Sequence, residues 1–267
     1  MGDTGQLRLG YLPPIPGMIH ALHGNFGLPS DWEAALPTGV AAKAWHLWEI
    51  RRAHPETHTL TGLATWFNNQ IETFPPDPQR ILAGYSLGGR LALHVLADRP
   101  ALWHRALVIS THPGLSTEEE RNARYHQDAV WKKRCLTAPW PEVRAAWDAQ
   151  PILQSMTPSS DSSALESWRQ EMAGAFEGWS LGHQENLLPI LARNPCPGWW
   201  LAGADDSKFS KLARLSTKCL SQFQKRIIPH FGHRLLADHP DGIKNALLQL
   251  VESEAPQKGR TVPVRPF

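Results

Sequence analysis

Short apolar runs recur along the chain at MIHAL (18–22), RILAGY (80–85), RALVIS (105–110), GWWLAG (198–203) and KRIIP (225–229), with helix-like patterns between them. Strands alternating with helices predict an α/β fold, a mainly parallel sheet with helices on both faces. Several runs end in small or polar residues, at the strand ends where open α/β sheets place their ligands. Between Pro113 and about Asn194 no β-rich run appears, and Glu, Arg, Trp and Ala recur every three to four residues. That spacing predicts a helical insertion, about residues 115–193, capping the sheet edge of one domain spanning 1–267. Within it, TPSSDSSALE (157–166) has the composition of a turn and a helix start. The polar, proline-containing tail, about 253–267, reads as an end that orders late or not at all.

Charge narrows the partners. Lys plus Arg number 27 against 25 Asp plus Glu, with no long like-charge block, so neither nucleic acid nor an anionic membrane is an expected partner. The N-terminus lacks an apolar signal-peptide segment, Gln6 breaks the myristoylation pattern, and no stretch is apolar for long enough to span a bilayer, so a cytoplasmic protein is expected. Cys135, Cys196 and Cys219 are scattered without a C-x-x-C pair and read as reduced, buried small residues. His20, His46, His54, His58, His94 and His104 show no metal-ligand spacing. Nothing in the sequence sets the oligomeric state.

The candidate chemistry begins at GYSLGGR (84–90). This G-x-S-x-G string follows a β-like run and precedes a helix-like one, the setting of a nucleophile elbow. Gly84 and Gly88 are needed there because side chains would collide with neighbouring backbone, and Ser86 projects above the sheet at the positive end of the next helix. A serine hydroxyl needs a base, and the base an orienting acid, in the chain order Ser, Asp, His. Asp205 or Asp206 and His230 or His233 end the next two strands, and the glycine before His233 favours that histidine. An oxyanion hole is expected from the backbone amides of Leu87 and, in the early HGNFG loop, Asn25. With the base role filled, His23 reads as a structural loop residue. Arg90 lies one turn into the helix after Ser86, Arg121 and Arg124 share a helix face, and Arg169 follows; converging guanidinium forks suit a small polycarboxylate substrate.

GYSLGGR, THPGL (111–115), the arginines at 121 and 124, AAWDAQPIL (145–153) and GADDSKF (203–209) together resemble the 2-succinyl-6-hydroxy-2,4-cyclohexadiene-1-carboxylate synthases of menaquinone biosynthesis, over most of the chain. The resemblance implies an α/β-hydrolase fold and a lyase that expels pyruvate from a tricarboxylate cyclohexene with no cofactor or metal. It implies a triad of Ser86, Asp206 and His233, oxyanion amides at Asn25 and Leu87, and substrate binding by Tyr85, Arg90, Arg124, Trp147 and Arg169. It also chooses Asp206 over Asp205, because the acid directly precedes Ser-Lys-Phe. Two features depart from the pattern: AWHLWEIRRAHPETH (44–58) replaces the usual Pro-Gly-His-Gly type turn after the second core strand and is expected to give an unfamiliar pocket wall, and Asn25 stands where an apolar residue is common. The triad alone also fits a serine hydrolase acting on an ester or C–C bond of a small acidic compound, and the fold alone fits an inactive ligand-binding relative.

Overall fold

The computed structural model describes residues 15–153 and 162–253. The N-terminal segment, the polar tail beyond Ser253 and the turn half of TPSSDSSALE lie outside these residues. In chain order the elements are β1 (Ile15–Leu22), β2 (Val40–Trp45), α1 (Leu47–Ala53), α2 (Leu60–Glu72), β3 (Ile81–Tyr85), α3 (Leu87–Asp98) and β4 (Arg105–Ile109). Then follow α4 (Glu118–Thr137), α5 (Trp140–Asp148), α6 (Ser162–Glu166), α7 (Arg169–Gly178), α8 (Leu188–Leu191), β5 (Gly198–Gly203), α9 (Ser207–Cys219), β6 (Phe223–Ile228), α10 (Leu235–Asp238) and α11 (Pro240–Glu252).

The described strands form one six-stranded sheet in the order β2-β1-β3-β4-β5-β6, parallel throughout. Alternate residues of the interior strands enter two cores. Leu22, Leu82, Val108 and Trp200 pack with α2 and α3, while Ile19, Ile81, Leu107 and Trp199 pack with α11 and Trp32. A strand buried on both faces needs apolar residues at every position, which is why these segments read as unbroken runs. Cys135 and Cys196 are buried free thiols, but Cys219, at the end of α9, is exposed, contrary to its expected burial. No helix of the described residues is long and apolar enough to cross a membrane.

Register places the chemistry. Leu22 pairs with Trp45 and Gly84, Tyr85 with Ile109, Ile109 with Leu201, and Gly203 with Ile228, so the C-terminal ends of the strands are level. The residues just beyond them meet along one rim. Helices α4 to α8 leave from β4 and return to β5, which are interior neighbours in the sheet. They therefore stand over this rim; the lateral edges are β2 and β6.

Candidate active site

Ser86 occupies the sharp turn from β3 into α3 with φ 51° and ψ −109°, a conformation costly for any residue with a side chain. The turn is possible because its glycines let backbone meet backbone. A Cβ on Gly84 would lie 2.5 Å from the Gly88 carbonyl oxygen, and one on Gly88 would overlap the carbonyl oxygen of Leu22. Gly88→Ala must therefore displace the β1 end from α3, with an expected loss of about 3 kcal/mol or more in urea unfolding. An unchanged midpoint would refute this account of the turn.

Two loops bring partners to Ser86. Asp206 caps the N-terminus of α9, its Oδ1 accepting from the Phe209 N–H at 3.0 Å, and is buried. Its Oδ2 lies 2.8 Å from His233 Nδ1, and His233 Nε2 lies 3.1 Å from Ser86 Oγ. With the carboxylate as acceptor, Nδ1 carries the proton and Nε2 is left to accept from the serine hydroxyl. Ser110, itself at φ 49°, donates from Oγ to the His233 carbonyl at 2.9 Å and pins the loop. Asp205 and His230 are exposed, so of the alternatives the sequence left open, Asp206 and His233 are the ones that converge on Ser86.

The loop 23–27 stands opposite. His23 is fully buried, with Nδ1 2.9 Å from the Gly24 carbonyl and Nε2 accepting from the Leu47 N–H at 3.1 Å. Burial pushes its pKa down to about 3, so it is a neutral strut. Residues 44–58, expected to wall the pocket, instead support this loop from beneath. Trp48 Nε1 donates to the Gly27 carbonyl at 2.8 Å, and among the described residues none of this segment lines either of the two cavities that Asn25 borders. Asn25 and Leu87 both line the cavity above Ser86, and Leu87 is the first residue of α3, where N–H groups have no partner within the helix.

That cavity, about 290 Å³, runs from Ser86 and His233 to the inner faces of α4, α5 and α7. Trp131, Trp147 and Phe176 give it an aromatic wall, with Trp147 stacked on Phe26 at 4.4 Å between centroids. Arg90, Arg124 and Lys208 give it positive charge. Arg90 donates from Nη1 to Gln184 Oε1 at 2.9 Å and from Nη2 to the Trp179 carbonyl; burial, then repulsion from Arg124, lowers its pKa to about 9. Arg124 is held by Nε to Asp128 Oδ1 at 2.9 Å, while Asp128 Oδ2 accepts from Ser180 Oγ at 2.7 Å. Burial and then Arg124 also lower the pKa of Lys208.

The remaining predicted residues are placed differently. Tyr85 faces an adjoining cavity of about 190 Å³ with Arg144 and Arg234, which shares the lining residues Asn25, Trp147 and Leu153 with the first. Arg169 does not line the Ser86 cavity: its guanidinium binds the carbonyls of Cys135 (2.8 and 2.6 Å) and Ala138 (2.7 Å), tying α7 to the end of α4. Arg121 does not line that cavity either, and its Nη1 reaches toward the Leu115 carbonyl at 3.5 Å. Sequence reasoning missed Lys208, Asp128 and His112 as cavity residues. Lys208 had a readable position, two residues past Asp206, the acid that caps α9.

No protein-family model matches the chain. It is 31% identical to the 2-succinyl-6-hydroxy-2,4-cyclohexadiene-1-carboxylate synthase of Enterobacter sp. (strain 638), covering 93% of this chain and 96% of that protein. It is 33% identical to the synthase of the same name from Klebsiella pneumoniae, covering 94% and 97%. Among solved structures, MenH from S. aureus superposes with a TM-score of 0.71 at 19% identity, covering 91% of this chain and 95% of that one. The carboxylesterase CesB from Bacillus subtilis superposes at 0.63 with 16% identity, covering 90% and 85%. These likenesses establish the α/β-hydrolase fold.

Proposed function

The chain belongs to the 2-succinyl-6-hydroxy-2,4-cyclohexadiene-1-carboxylate synthase family of enzymes, and on that premise we propose that it is a carbon–oxygen lyase of menaquinone biosynthesis. It eliminates pyruvate from 2-succinyl-5-enolpyruvyl-6-hydroxy-3-cyclohexene-1-carboxylate to give the compound for which the family is named. The observation that carries this reading is the Ser86–His233–Asp206 chain opening into a cavity with Arg90, Arg124 and Lys208 on its wall. A neutral ester has no use for those cations, whereas a substrate with three carboxylates does.

Ser86 passes its hydroxyl proton to His233 Nε2 as its Oγ removes the proton on the ring carbon next to the succinyl ketone. The electron pair moves onto the ketone oxygen, which the Asn25 and Leu87 amides stabilise, and then returns to expel the enolpyruvyl oxygen. The C–O bond breaks, the ring diene forms, and the departing enolate takes up the proton from His233 Nε2 to become pyruvate, which resets the serine–histidine pair. Asp206 keeps the imidazole oriented and supports its positive charge.

The test is pyruvate release from the enolpyruvyl cyclohexene substrate beside p-nitrophenyl acetate hydrolysis. Wild type should release pyruvate far above the spontaneous background and cleave the ester poorly. Arg124→Gln, which keeps an amide for Asp128, should raise KM for the tricarboxylate about 10- to 100-fold, the range of a lost charge-assisted hydrogen bond, and leave ester cleavage unchanged. Pyruvate at background with Ser86-dependent ester cleavage would make the protein a hydrolase.

A further inference from the structure

The loop after β4, THPGL, places one polar side chain in the cavity that the elimination chemistry leaves without work. His112 is buried, with 7% of its surface exposed. Its Nδ1 accepts from the Gly114 N–H at 3.1 Å, so the ring proton of the neutral imidazole resides on Nε2. Burial, and then Lys208, Arg90 and Arg124 in turn, push its pKa down to about 3, so the ring is uncharged near neutrality. Among the described residues no group accepts from Nε2, yet Nε2 is not sealed in the interior, and the ring lines the Ser86 cavity.

The ring cannot readily turn away. Gly114 has φ +116°, and a Cβ there would overlap the Glu185 carbonyl. Leu187 N–H donates to the Pro113 carbonyl at 2.9 Å, locking the loop to residues 184–187. Gln184 Nε2 donates to the His112 carbonyl at 3.3 Å while its Oε1 accepts from Arg90, so one glutamine orients both the cation and the histidine loop. The ring meets Phe209 edge-on at 6.5 Å between centroids, and Phe209 packs on His233 at 4.5 Å.

We propose that His112 is a substrate-binding residue whose Nε2–H donates to a carboxylate oxygen of the anionic substrate, an uncharged donor working beside Arg124 and Lys208. A fixed N–H with no acceptor face selects an oxygen acceptor, and its neutrality adds a hydrogen bond without further mutual repulsion among the cations. The proposal rests on the reading of this cavity as a polycarboxylate site, and it makes His112 a determinant of affinity rather than of the proton transfer.

Asparagine separates the two roles of the ring. His112→Asn keeps an acceptor for Gly114 N–H in an Asx turn but removes the distal donor, whereas His112→Gln restores an N–H near the position of Nε2. The probe is succinate, followed by calorimetry and by ¹⁵N NMR of the imidazoles. Saturating succinate should shift the Nε2–H signal of His112 and leave Nδ1 as an unprotonated acceptor. Its affinity should fall about 10- to 100-fold in His112→Asn, the cost of a hydrogen bond to a charged group, with partial recovery in His112→Gln. Wild-type affinity in His112→Asn, an unmoved Nε2 signal, or no saturable succinate binding would overturn the proposal. Pyruvate release measured on the same proteins separates the two readings: succinate bound through Nε2 without any lyase activity would retain His112 and discard the reaction.

Discussion

Ser86→Ala is expected to lower kcat for pyruvate release by about 10³- to 10⁴-fold, the scale of a lost general base, while KM stays within a few-fold. Binding survives because Arg90, Arg124 and Lys208 are untouched by the change. On the proposed mechanism the fall should be incomplete, since the Asn25 and Leu87 amides are left in place. His233→Ala should give a similar loss, and the double variant should be little worse than either, because serine and histidine act as one unit joined at 3.1 Å. Ser86→Gly adds a second readout. Glycine tolerates φ 51° and ψ −109°, so it should raise the unfolding free energy in urea by about 1 kcal/mol or more, while turnover falls as far as in Ser86→Ala. Gain of stability with loss of rate is the signature of strain held for function. Single-turnover kinetics with Ser86→Ala at wild-type speed would remove the serine from the mechanism.

What could be read from the sequence follows from where each residue lies. The interior strands announced themselves because both their faces are buried, whereas β2 forms a lateral edge with its middle residues exposed, and VAAKAW carries no apolar run to notice. The serine turn was legible because its glycines are steric necessities, visible as the near-contact of Gly84 with Gly88 and of Gly88 with β1. The arginines were harder. Spacing places a guanidinium on a helix face but says nothing of which carbonyls lie within its reach, so Arg124, held side-on by Asp128, and Arg169, spent on Cys135 and Ala138, looked alike. The segment 44–58 was legible as unusual but not as a support, because its work is done through Leu47 N–H and the Trp48 indole upon a loop 24 and 21 residues earlier in the chain.

The strongest stability effect is expected from acid. His20, His23 and His112 are buried and neutral, with pKa values lowered from 6.5 to about 4, 3 and 3, in each case first by desolvation. Arg80 and Lys43 add to the shift at His20, and Lys208 at His112. Each imidazole binds a proton less readily in the folded chain than in the unfolded one. Between about pH 6.5 and the folded values the unfolded chain therefore holds more protons, stability rises with pH, and it is lost as pH falls through that window. Each group costs about 1.4 kcal/mol per pH unit below 6.5, so at pH 5 the three together remove about 6 kcal/mol. That is comparable with the whole stability of an ordinary domain, about 5–15 kcal/mol. The urea midpoint should accordingly change little between pH 8 and 7 and drop steeply below pH 6. His20→Phe isolates one contribution: His20 is ringed by Trp45, Phe74 and Trp103, and its Nδ1 accepts from the Trp45 indole at 3.2 Å. The variant should lose some stability at pH 8 through that orphaned indole, yet show a shallower fall between pH 6.5 and 4.5, with one proton fewer taken up on unfolding. An identical slope in wild type and variant would show that His20 is protonated in the folded state, and the aromatic box around it would need another explanation.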